Sequence, residues 1–106
     1  MTFDEYVALA AATDSNAGEG LVVAALGLAG EAGEFADQVK KVVAQGHPLD
    51  RQRLAAEAGD ILWYVAKAAR ALGVSLDEIA SGNIAKLAAR YPDGFATGRS
   101  LTRDPE

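Results

Sequence analysis

The chain has 106 residues, a net charge of −5 and a composition that is half hydrophobic, which bounds it to one domain with a modest core. It has no cysteine and one histidine, excluding disulfides and thiolate metal sites and arguing against a His-based zinc site, and no basic stripe suits duplex nucleic acid. No apolar run approaches the roughly 20 residues of a membrane span and no basic region opens the chain, so a cytoplasmic protein without a signal peptide is expected.

Thr2-Phe3-Asp4-Glu5 reads as a capping box opening a helix that runs to about Thr13. Residues 14–20 are polar and glycine-bearing, a loop. A long helix is predicted from about Glu19 to Ala44, with Leu21, Leu28, Phe35, Val39 and Val42 at near-helical spacing. Inside it stand Gly27, Gly30 and Gly33, each costing up to about 1 kcal/mol relative to alanine. Their three-residue spacing implies either close backbone approach or a bend.

Gln45-Gly46-His47-Pro48 ends that helix. Asp50 caps a third, Arg51 to Leu72, whose apolar face includes Leu54, Ile61, Leu62 and Val65. Gly73 stops it, and Ser75-Leu76-Asp77-Glu78 is a second capping box for a fourth helix to about Arg90. Tyr91 to Phe95 closes the fold, and residues 96–106 lack periodicity and read as a mobile tail. The expectation is one all-α, four-helix domain over residues 1–95. Alanine-rich helices approach closely but bury little area, so self-association is expected.

Four acids carry the chemistry: Glu31 and Glu34 on the second helix, Glu57 and Asp60 on the third. Residues three apart share a helix face, so each pair projects two charges in one direction. Face-to-face packing would gather four carboxylates that resist joint ionisation. A hard divalent cation relieves that repulsion, and Mg²⁺ binds carboxylates while keeping positions for water and phosphate. Acids at this spacing are also common on solvated faces. Here Gly27, Gly30, Gly33, Ala55, Ala58 and Gly59 surround them, suiting a packed polar pocket. Asp37 either extends the first row or pairs with Lys40 or Lys41.

Gly27 to Asp37 with Lys40-Lys41 resembles the first motif of the MazG-like all-α nucleoside triphosphate pyrophosphatases. Glu57-x-x-Asp60-Ile61-Leu62-Trp63-Tyr64 resembles their second motif, and Asn83-x-x-Lys86-Leu87-x-x-Arg90-Tyr91-Pro92 their third. The resemblance implies a four-helix protomer assembled as a homodimer or homotetramer. It implies Mg²⁺-dependent hydrolysis, with Mn²⁺ a possible substitute, in which metal-activated water attacks the α-phosphorus and expels pyrophosphate. Glu31, Glu34, Glu57 and Asp60 would be the metal ligands, with Glu34 preferred as base. Some relatives carry a further glutamate where this chain has Gly30, which leaves the identity of the base open.

Lys40, Lys86 and Arg90 are candidates to meet the triphosphate, and Asn83 to hold a phosphate, a sugar hydroxyl or a neighbouring ligand. The same cations also suit helix C-termini. Trp63 and Tyr64, three and four residues beyond Asp60, could each stack on a base or pack in a core or subunit interface. The favoured role is removal of noncanonical or excess nucleotides, known as house-cleaning. Its rivals are a specialised substrate such as phosphoribosyl-ATP, and a non-catalytic helical module that binds metal.

Overall fold

The structure, a computed structural model, describes residues 1–94. Four helices follow one another: α1 (Phe3–Ala11), α2 (Gly20–Gln45), α3 (Arg51–Leu72) and α4 (Leu76–Arg90). There is no β-strand among the described residues. The sequence punctuation works as physics requires. Both capping boxes form, at Thr2/Glu5 and Ser75/Glu78, and the Asp50 side chain accepts from the Arg53 N–H. Gly46 and Gly73 end α2 and α3 in the left-handed conformation. α1 stops at Ala11, two residues short of the predicted Thr13. The Thr13 hydroxyl instead bonds back to the Ala10 carbonyl. The predicted mobile tail lies outside the described residues.

α2 and α3 form the main helix pair. Gly20 meets Ala71, Gly27 meets Tyr64, and Gln38 bonds Glu57, so the two run antiparallel. α2 continues unbroken through Gly27, Gly30 and Gly33. The close approach expected of them occurs at one, where a methyl group on Gly27 would collide with the Tyr64 ring. Gly30 and Gly33 have no protein atom near the position of a Cβ, and both line a cavity.

The core is made of small residues. Ala24 and Ala66 are fully buried, and Ala69, Leu76 and Ala10 nearly so. Tyr6, Val7, Val65 and Val74 pack around the cluster of Ala66, Ala69 and Leu76, where α1, α3 and the start of α4 meet. Among the described residues no large side chain is fully buried. α4 packs against α1 and α3, and from Ser81 to Ala89 every residue is exposed. No helix of the described residues is long and apolar enough to cross a membrane.

Candidate metal centre

The antiparallel register of α2 and α3 sets Glu31 opposite Glu57 and Asp60. Carboxylate oxygens of these three lie within 4.8 Å of one another. Glu31 Oε2 and Glu57 Oε2 are buried and have no hydrogen-bond partner. Such groups are costly to leave unsatisfied. Gln38 Nε2 donates to the other Glu57 oxygen at 3.2 Å, which fixes that carboxylate but does not neutralise it. Burial raises the Glu31 pKa above the ordinary glutamate value, and the charges of Glu34, Asp60 and Glu57 raise it further. Three carboxylates at this spacing, two of them with a stranded oxygen, fit a hard divalent cation.

Glu34 stands outside this triad. It is exposed, lies close enough to Glu31 to affect its ionisation, and borders a cavity of about 300 Å³ with Gly30, Gly33 and Glu57. The two bare glycines leave that cavity its room. Asp37 takes the ion-pair option, 3.4 Å from Lys40 and 3.0 Å from Lys41. Those ammonium groups lower its pKa.

Trp63 and Tyr64 meet edge to face, centroids 4.9 Å apart at 79°. Each is also held by packing. The Trp63 Nε1–H donates to Thr13 Oγ1 at 2.9 Å, and Tyr64 fills the space that Gly27 vacates. Asn83, Lys86 and Arg90 lie along α4, and none lines the cavity beside Glu34 and Glu57. Lys40 does not line it either, whereas Lys41 does.

Four features escaped the sequence reading. Gln38 follows Glu34 by four residues, the spacing that shares its helix face, and this signal was available. Tyr6 lies near Asp60; burial and then that acid's charge raise its pKa. Arg53 lines the cavity from α3. The fourth is a charged cluster away from the acids. Asp14 Oδ2 sits 2.6 Å from Lys67 Nζ and 2.8 Å from Arg70 Nη2, with the Asp14 and Lys67 side chains each only 5 % exposed.

The MazG nucleotide pyrophosphohydrolase domain matches residues 23–95, which takes in the helices carrying all four acids. The chain belongs to the MazG family. It is also 40 % identical over 96 residues to the Gene 37 protein of Mycobacterium phage L5, covering 87 % of this chain and 84 % of that one. No solved structure matches. Within the MazG domain the match begins at Val23, so α1 and the Asp14 loop precede it. The acid triad and its cavity lie wholly inside.

Proposed function

We propose that the protein hydrolyses nucleoside triphosphates to monophosphates and pyrophosphate with Mg²⁺, or Mn²⁺ in its place. The observation that carries this reading is the convergence of Glu31, Glu57 and Asp60 with two buried, partnerless oxygens beside an open cavity. The MazG family membership supports the same class of chemistry.

Glu31, Glu57 and Asp60 would hold the cation. When bound, the cation neutralises phosphate oxygens and makes a coordinated water a better nucleophile. Gln38 holds Glu57 in its ligating orientation, as outer hydrogen bonds to metal ligands do. Glu34, exposed at the rim, is the acid free to take the proton of the attacking water. The water oxygen bonds to the α-phosphorus, the bond to the bridging oxygen breaks, and pyrophosphate leaves with the electron pair. Trp63 and Tyr64 offer ring surface to the base, and Asn83, Lys86 and Arg90 match the family's third motif for substrate contact.

We also assign the working unit to a homodimer or homotetramer. Leu26, Val43 and Ile84 are 70 %, 81 % and 65 % exposed, and no large side chain among the described residues is fully buried, so a protomer leaves apolar surface that a second copy could cover.

The decisive experiment incubates the protein with Mg²⁺ and a panel of ordinary and modified nucleoside triphosphates, separating products by chromatography. Monophosphate and pyrophosphate, abolished by EDTA, are expected. Orthophosphate and diphosphate would place the cut at the wrong bond, and no product from any triphosphate would overturn the reading.

A further inference from the structure

Two cavities in the α2–α3 valley share a wall. The larger, about 300 Å³, is bordered by Glu34 and Glu57. The smaller, about 140 Å³, continues toward the α2–α3 loop, where His47 and Pro48 border it. Gln38, Lys41 and Arg53 line both. Glu34, Asp37 and Glu57 border the larger half and Asp50, an α3 cap, the smaller, with two cations where the halves join.

The two cations differ in how far they are engaged. The Lys41 ammonium is 3.0 Å from Asp37. Arg53 lies one turn before Glu57 on α3, about 6 Å of helix rise. Its backbone N–H serves the Asp50 cap, but its guanidinium has no ion-pair partner among the described residues. That includes Glu57, which stands at the four-residue spacing where a helical ion pair would form. Gln38 occupies a Glu57 oxygen instead. An uncommitted guanidinium presents a planar fork of N–H donors suited to phosphate oxygens.

We propose that Arg53, assisted by Lys41, grips the terminal phosphates of the substrate and then the pyrophosphate leaving group. This rests on the hydrolase reading, since that reaction puts a polyanion in the groove with its metal-binding portion at the acids. An extended triphosphate reaching from the acids toward the loop would meet Arg53 after one helical turn. Charge accumulating on the leaving oxygens as the α-phosphorus bond breaks would then fall beside a positive fork. From α2, the helix of Gly30 and Gly33, Lys41 is the cation that lines the groove among the described residues.

The test titrates full-length protein with pyrophosphate in the presence of Mg²⁺ by calorimetry, and separately with Mn²⁺ alone. Arg53→Ala is expected to weaken pyrophosphate binding roughly 10- to 100-fold, the scale of a lost charge-assisted contact. Its Mn²⁺ binding should match wild type. Arg53→Lys should recover part of the affinity, keeping the charge without the fork. Arg51→Ala removes a cation from the same helical turn that lines neither cavity, and should bind as wild type does. Undiminished pyrophosphate binding by Arg53→Ala would overturn the assignment while leaving the hydrolase reading intact. Wild-type protein that binds Mn²⁺ but neither pyrophosphate nor any triphosphate would overturn both.

Discussion

Two charged clusters lie along α3, and they are built on opposite principles. Near its C-terminal end, Lys67 and Arg70 converge on Asp14, opposite charges at hydrogen-bond distance. Near its N-terminal end, Glu57 and Asp60 converge with Glu31, like charges with two buried oxygens lacking any donor. In the first cluster opposite charges meet and tie the α1–α2 loop to α3, although two cations share one carboxylate and the buried Arg70 Nε has no hydrogen-bond partner among the described residues. The second demands a positive charge that the described residues do not place there. A cluster of opposite charges is largely closed by its own partners, whereas one of like charges is left open to a cation.

The sharpest way to break this comparison is to remove an acid from the open cluster. Glu57→Ala or Asp60→Ala should lower Mg²⁺-dependent hydrolysis at least about 1,000-fold, the scale of losing several kcal/mol of metal-based stabilisation. Steady-state rates measure this, and wild-type activity in both variants would remove the site. Neither variant should lose metal-free stability, and thermal unfolding without Mg²⁺ should show equal or greater resistance.

Asp14→Asn should do the reverse. It leaves Lys67 almost fully buried without a counter-charge, a change that is strongly destabilising in other proteins. A clear fall in melting temperature is expected while Mn²⁺ affinity, measured under folding conditions, holds.

Gly27→Ala tests what sets the spacing between the helices that carry the acids. The added methyl must displace Tyr64, at a cost of about 1–3 kcal/mol in denaturant unfolding. An unchanged midpoint would show that the seam yields easily.

The smallest expected effect is in the pH profile, where the two clusters pull in opposite directions. The folded pKa of Glu31 is raised, so its ionisation opposes folding once pH rises past the ordinary carboxylate range. That penalty should fade as pH falls from neutrality. Asp14 is held below the ordinary aspartate value by its hydrogen bond to Lys67 foremost. Its stabilisation is therefore present above about pH 4 and is lost on further acidification. Metal-free protein should be most stable between about pH 4 and 5, and Mg²⁺ should flatten the profile by restoring stability at neutral pH.

The comparison also explains what the sequence could reveal. Local rules gave the helices, because Thr2, Asp50, Ser75, Gly46 and Gly73 each act on backbone within a few residues. Glu31, Glu57 and Asp60 were legible because helical spacing fixes their faces, and the three-motif resemblance paired those faces. Asp14 with Lys67 was not legible. The two are 53 residues apart, and nothing in the neighbourhood of either specifies the other. Arg53 was equally hidden, since only the α2–α3 register brings it to one groove with Lys41, which the first motif had already singled out. The three glycines look equivalent in sequence. Yet Gly27 serves contact and Gly30 and Gly33 serve vacancy, a division that depends on what α3 presents at each level.

The indole of Trp63 has a practical consequence. It is the only tryptophan in the chain, and its N–H is bonded to Thr13 at the end of α1 while Lys67 lies 5.9 Å over its ring. All indole emission from this protein therefore originates at one seam, one turn from Asp60 and in contact with the Asp14 cluster. Light absorbed there samples the open cluster and the closed one together. A shift in its colour or intensity during titration would register the two regions speaking to each other, with no label attached.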